Sequence, residues 1–223
     1  MNSLLLATSN RGKALELAGL LRDVPFDLVS LEDVKISNTV EETGLTFIEN
    51  AVLKARAYSS FSGLIALADD SGLEVDALDG RPGVTSARYG SPGLSDEERV
   101  QLLLYELMGT PWEQRTARFK CVVAISTPLG EVNTVEGVIE GVIQYSPEGN
   151  NGFGYDPVFY LPNKGCTTAQ LSMKEKNLVS HRGLAAREAA EILRNKVFHV
   201  GRKPEASGES DTIQLGEGSF PKG

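Results

Sequence analysis

The stretch I-A-L-A-D-D-S-G-L-E-V-D-A-L-D-G-R-P-G, residues 65–83, decides how the rest of the chain is read. It opens as an apolar strand and meets two adjacent carboxylates, Asp69 and Asp70. It then passes through Ser71 and Gly72, and apolar–polar alternation resumes at residues 73–78. The interruption predicts a turn at a sheet edge. In open sheets with parallel strands, ligands bind at the carboxyl ends of strands. Carboxylates there suit a hard divalent cation, and one that uses one or two carboxylates plus substrate phosphates is usually magnesium. The same residues also fit a plain turn in which an Asp hydrogen-bonds its own backbone. Both readings stay open on this stretch alone.

Toward the N-terminus, residues 4–7 read as a short buried strand running into Thr8, Ser9, Asn10, Arg11, Gly12 and Lys13. Residues 14–21 then show helical spacing, with Leu17, Leu20 and Leu21 on one side. Free backbone N–H groups and a lysine at a helix start make an anion-binding arrangement. The segment is not a Walker loop, because the first glycine is missing and Ala14 replaces the hydroxyl. An ordinary strand–helix turn with solvated Arg11 and Lys13 is the alternative. Residues 26–30 predict a second strand, followed by the irregular stretch 31–44. Thr46 and Glu49 form a capping box that starts a helix at Phe47, carrying Lys54 and running to about Ser62. Glu41 and Glu42 lie just ahead of it. They are either complements to the helix dipole or the source of a second cation ligand beside Asp70.

Toward the C-terminus, Ser95 and Glu98 cap a helix that Gly109 ends. Residues 115–127 and 132–143 predict two long strands in a hairpin, either a lobe or an edge that a partner subunit covers. In G-N-N-G-F-G-Y-D-P, residues 149–157, glycines around Phe153 let backbone approach a ligand while the ring stays free to stack on it. Aromatic faces stack on nucleobases; a glycine loop pinned by a buried Phe is the other reading. His181 alone reads as a surface or capping histidine. Arg182, with Lys174 and Lys176 close by, adds donors before the helix at 184–195. Residues 199–223 are polar and aperiodic, which predicts a disordered tail beyond a domain at 1–198.

Composition bounds the function. The 223 residues are 41% hydrophobic and 23% charged, ordinary for a folded soluble protein. A net charge of −8 argues against general nucleic-acid binding but allows a local basic cleft for an anionic small molecule. Cys121 and Cys166 make no disulfide framework, which favours an intracellular protein. The apolar run at the start is too short for a signal peptide, and no stretch approaches the ~18 residues of a membrane span. The expectation is a soluble, cytoplasmic α/β protein with a mixed sheet. Its segments together supply an anion cradle, a carboxylate site, an aromatic platform and a polar cluster. That is the inventory for a nucleoside triphosphate with magnesium.

Six motifs in order carry a resemblance: T-S-N-R-G-K (8–13), E-E-T-G-L-T-F-I-E-N-A-x-x-K-A (41–55), A-D-D-S-G-L (68–73), G-x-P-G-x-x-S-A-R-Y (80–89), G-F-G-Y-D-P (152–157) and S-H-R-G (180–183). The chain resembles the Ham1-like inosine/xanthosine triphosphate pyrophosphatases, house-cleaning enzymes that remove deaminated purine nucleotides. The resemblance implies Mg2+-dependent hydrolysis of ITP, dITP and XTP at the α–β phosphoanhydride, giving nucleoside monophosphate and pyrophosphate. It also implies an elongated α/β fold with a central mixed sheet and a cleft between two lobes, and a homodimer. Thr8, Ser9, Asn10, Arg11, Gly12 and Lys13 are expected to hold the phosphates, with Lys54 reaching them. Glu41 and Asp70 are expected to hold the cation, Asp70 to accept the proton, and Ser71 to touch substrate. Phe153, Gly154, Tyr155, Asp156, Lys176, His181 and Arg182 are expected to hold the base.

Overall fold

Strand–helix alternation in the first third of the chain builds the part of the sheet that positions the site. The computed structural model describes residues 3–91 and 93–196; the expected tail at 199–223 lies outside them. The order is β1 (Ser3–Leu6), α1 (Arg11–Leu20), β2 (Asp27–Ser30), α2 (Phe47–Ser62) and β3 (Ile65–Val75). There follow α3 (Asp96–Glu106), β4 (Thr116–Ser126), β5 (Val132–Ile143), β6 (Phe159–Leu161), β7 (Cys166–Thr167), α4 (Met173–Val179) and α5 (His181–Asn195). The strands join one mixed sheet ordered β2-β1-β3-β4-β5-β6-β7, with β1 parallel to both neighbours and the remaining pairs antiparallel. The chain is α/β, as its sequence predicts.

Two expectations change. Residues 69–72 are no turn: β3 runs unbroken past both carboxylates, paired with β4 from Ala66↔Ser126 to Val75↔Ala117. A continuous antiparallel partner satisfies the backbone there, so the polar side chains interrupt the hydrophobic pattern without interrupting the strand. The edge reading survives in another form. Strand β1 pairs with β3 only through Leu6↔Leu67, and the carboxylates come directly after that parallel partner ends. The β4–β5 hairpin is not an edge either, since β3 and β6 flank it.

Helices cover both faces of the sheet, and the strand period of two decides which residues meet which. Ile65 and Leu67 of β3, with Cys121 and Val123 of β4, pack on Leu17 of α1 and Ala185, Ala186 and Ala189 of α5. Ala66 and Ala68, with Val122 and Ala124, pack on Phe47, Ala51 and Ala55 of α2. Farther along β3, Leu73 and Val75 pack on Val100 and Leu103 of α3, together with Phe119 and Phe159. Both predicted capping boxes form, at Thr46/Glu49 and Ser95/Glu98. The buried stripe of α2 includes Asn50 and leaves Ile48 half exposed.

Candidate active site

Where β1 stops, β3 continues, and a cleft of about 910 Å³ opens beside its unpaired length. Its walls come from Asn10 and Lys13 of the first helix start, Asp70 and Ser71 of β3, Phe153, and Arg182.

At the first wall, the Asn10 side chain caps α1 by accepting the Lys13 N–H at 3.0 Å. Helix geometry leaves the N–H groups of Arg11 and Gly12 without intrahelical acceptors. Thr8 Oγ1 accepts the Asn10 N–H at 3.2 Å and fixes the entry to the cap. Ser9 and Arg11 are exposed. The helix start is therefore a set of anion donors with Lys13 beside it.

The two carboxylates of β3 are neighbours in sequence and opposites in environment. Asp69 lies on the α1/α5 face, where Lys13 Nζ stands 3.1 Å away and the Arg182 guanidinium 3.3 Å away. Burial pushes its carboxyl up, but Lys13, Arg182 and Lys54 together hold it far below the usual carboxylate range. Asp70 lies on the α2 face, accepts from Asn50 at 3.2 Å and faces Lys54 Nζ at 3.3 Å. There burial outweighs Lys54 and Lys13, and the nearby charge of Glu42 adds to it, so the carboxyl is raised. The two environments push the carboxyls apart: Asp69 stays ionised among its cation partners, while Asp70 is the one held above its ordinary value.

Lys54 sits between Asp70 and Glu42, in contact with both, and Glu42 also receives Arg88 at 3.2 Å. Burial lowers the Lys54 ammonium, but Asp70, Asp69 and Glu42 raise it further, so it remains charged. Glu41, expected as a cation ligand, is exposed and lies off the cleft wall, whereas Glu42 lies on it. The position one residue later is the one that turns toward Lys54.

The opposite wall is an ion-pair network around the glycine loop. Asp156, buried, accepts the Phe153 N–H at 2.9 Å and the Thr168 hydroxyl at 2.8 Å, and pairs with Lys176. Lys176 also reaches Glu16 at 2.8 Å, and Glu16 in turn holds Arg182. Burial raises the Glu16 carboxyl, yet Arg182 and Lys176 bring it net below its ordinary value. The Phe153 ring lies under both cations, with Lys176 Nζ 4.9 Å and Arg182 Cζ 5.6 Å from its centroid. Lys176 is spent on this support and is not on the cleft wall. Arg182 reaches the wall and donates to Ser71 Oγ at 2.8 Å.

His181 is neither a surface residue nor a capping one. It is buried, stacked on Phe119 with ring centroids 4.6 Å apart. Burial, then Arg182 and Lys176, hold its pKa well below the ordinary value, so the imidazole is neutral. Ser180 supplies the cap of α5. Tyr155 donates to the Ser86 carbonyl at 3.0 Å, and Gly154 N–H donates to Asp96 at 2.9 Å, which ties the loop to α3.

The geometry thus gathers Asn10, Lys13, Asp70, Ser71, Phe153, Gly154, Tyr155, Asp156, His181 and Arg182 around one cleft, with Lys54 and Lys176 directly behind its walls. Sequence reasoning missed Glu16 and Asn50 as partners, and left Glu41 and Glu42 undivided until the resemblance pointed to Glu41. A carboxylate and an amide on helix positions that are otherwise buried were the available signals for Glu16 and Asn50.

These features define an α/β protein whose sheet-end cleft joins anion donors, a lysine-bridged carboxylate pair and an aromatic ring. The chain belongs to the Ham1 family, whose sequence profile matches residues 4–192. It is 52% identical over 185 residues to a dITP/XTP pyrophosphatase of Geobacter sulfurreducens, covering 83% of this chain and 93% of the relative. A dITP/XTP pyrophosphatase of Desulforamulus reducens is 50% identical over 196 residues, covering 88% and 98%. Among solved structures, a HAM1 protein from Coxiella burnetii superposes with a TM-score of 0.79 at 42% identity, covering 86% of this chain and 98% of that one.

Proposed function

We propose that this chain hydrolyses deaminated purine nucleoside triphosphates, ITP, dITP and XTP, to the nucleoside monophosphate and pyrophosphate. One observation carries the reading: the Asp70–Lys54–Glu42 cluster shares its cleft with the anion donors of the Lys13 helix start and with the Phe153 ring. The names of the relatives support the substrate class.

The phosphates lie on Asn10, Gly12 and Lys13, with Lys54 reaching them from α2. Water attacks the α-phosphorus, its proton passes to Asp70, and the α–β P–O bond breaks with its electron pair leaving on pyrophosphate. Burial suits Asp70 to the task, because a raised carboxyl holds a proton better at working pH. Asn50 holds the side chain in place.

Asp70 and Glu42 would hold a magnesium ion, whose charge neutralises phosphate oxygens. The fit is good: magnesium usually takes one or two carboxylates and fills its shell from phosphates and water, and this pair already brackets a cation, the Lys54 ammonium. Among the described residues, no group of three or more His, Cys, Asp or Glu side chains forms a complete metal site. The donor set therefore suits an ion that arrives with the nucleotide.

The base stacks on Phe153. Its 6-keto oxygen meets donors, Arg182 and loop N–H groups, that an adenine 6-amino group leaves unpaired. Mismatches of this kind discriminate by ~10⁴ or more. The family resemblance supports a homodimer, and the composition supports a cytoplasmic location. The described helices include none long and apolar enough to cross a membrane. The test is pyrophosphate release from ITP, XTP, GTP and ATP, with and without magnesium. Release from ITP and XTP that needs the metal is expected; equal rates with ATP refute the assignment.

A further inference from the structure

One cation on the cleft wall has no part in the machinery above. Arg99, on the second turn of α3, lines the same cleft as Phe153, Tyr155 and Arg182. Its side chain is only 14% exposed, and its one ion pair is to Asp96 at 3.1 Å. Its Nε is buried and meets no hydrogen-bond acceptor among the described residues. The buried Nε presents no surface to the cleft, so contact with a ligand falls to the terminal guanidinium nitrogen that Asp96 leaves free.

The position of Arg99 identifies the part of a ligand it meets. Asp96, its partner, accepts the N–H of Gly154, the residue after Phe153. The charge of Arg99 also bears on the Tyr155 hydroxyl. Arg99 therefore stands on the α3 side of the cleft beside Gly154, whereas the phosphate donors Asn10 and Lys13 are on the α1 side, against which the Phe153 ring packs. Arg182 approaches Phe153 from α5 and Arg99 approaches Gly154 from α3. Asp96 is consumed by Gly154 and by a single Arg99 nitrogen, Nη1.

We propose that Arg99 is a specificity-determining residue that reads the 2-position of the purine and favours xanthine over hypoxanthine and guanine. This rests on the function proposed above. With Arg182 on the 6-keto edge, the neighbouring 2-position is the edge left to a group coming from α3. Xanthine carries a keto acceptor there and ionises readily at N3, so a guanidinium gains a charge-assisted hydrogen bond. Hypoxanthine offers only C–H. Guanine offers an amino donor, and two donors facing each other in a desolvated cleft are penalised.

The experiment measures kcat/KM for XTP, ITP and GTP with the full-length wild-type protein and with Arg99→Gln and Arg99→Met, each checked for an unchanged melting temperature. Arg99→Met keeps the packed stem and removes the donors. Both variants should lower the XTP:ITP ratio by about tenfold or more, the size expected of a hydrogen bond to a charged group, and raise GTP relative to ITP. Arg99→Lys should keep most of the xanthine preference. If all three substrates fall by one factor, Arg99 acts only by holding Asp96 and Gly154, and the proposal is overturned. Unchanged ratios overturn it equally. A wild-type protein that releases no pyrophosphate from any of the three overturns the underlying function as well.

Discussion

Replacing Gly12 with alanine tests how the phosphate and base ends of the cleft are joined. Gly12 lies in the first turn of α1, and a Cβ there stands 2.7 Å from Cδ1 and 2.9 Å from Cε1 of Phe153. Carbon atoms pack comfortably at about 3.5–4.0 Å, so the ring has to withdraw by roughly 1 Å. It retreats from a position fixed by Lys176 at 4.9 Å and Arg182 at 5.6 Å. The lost cation–π contacts cost about 0.5–1 kcal/mol each. Alanine returns about 1 kcal/mol through its better helix propensity, so the melting temperature should hardly move. Activity should move, because base stacking is worth about 1–3 kcal/mol. The expected result is a roughly tenfold to hundredfold fall in kcat/KM for ITP, mostly in KM. The assay is steady-state pyrophosphate release by wild type, Gly12→Ala, Phe153→Ala and the double variant. In the Phe153→Ala background the added methyl has no ring to displace, so its effect should nearly vanish, a coupling of more than about 1 kcal/mol. An undiminished Gly12→Ala effect in that background refutes the reasoning, since the methyl would then act on the phosphates directly.

Four further substitutions separate the carboxylates. Asp70→Asn should abolish turnover yet raise the melting temperature at pH 7. The native carboxyl is held above its ordinary value, so its ionisation disfavours the fold as pH rises; melts from pH 3 to 8 in which the variant never exceeds wild type count against this. Asp69→Asn should destabilise by about 3 kcal/mol or more, because it leaves Lys13 and Arg182 short of a buried partner. Its depressed carboxyl contributes stability above the ordinary carboxylate range and loses it as the solution becomes strongly acid, so the gap to wild type should narrow in acid melts and not widen. Glu42→Gln should weaken magnesium activation by at least about tenfold and Glu41→Gln by little, read from titrations of rate against metal; the reverse order would return the ligand role to Glu41.

The legible parts of the site were those governed by local rules. The Thr46–Glu49 and Ser95–Glu98 boxes set their helix starts because capping is a contact between residues three apart. The strand–helix passage at Thr8–Lys13 was readable for the same reason. What escaped depends on distance in the fold. Glu16 looks like any polar helix residue until α4 and α5 bring Lys176 and Arg182 to it across more than 150 positions of chain, with sequence separations of 160 and 166. His181 reads as a helix-start residue, and only the sheet supplies the Phe119 ring that buries it. Glu41 and Glu42 lie in a segment without periodicity, so no sequence rule says which one faces Lys54. The turn expected at Asp69–Gly72 fails because the hydrophobic pattern reports burial, whereas strand continuity is decided by the hydrogen bonds of β4.

Two side-by-side aspartates on one strand make the count of residues along it matter. Their different surroundings are written in parity, since in the first half of β3 even-numbered positions address α2 and odd-numbered ones address α1 and α5. Losing or gaining a single residue between Ile65 and Asp69 would send each carboxylate to the face the other now occupies, while leaving both aspartates in the protein. Apolar neighbours can be exchanged for others of similar volume at modest cost, whereas a change of spacing along this strand moves both carboxylates at once.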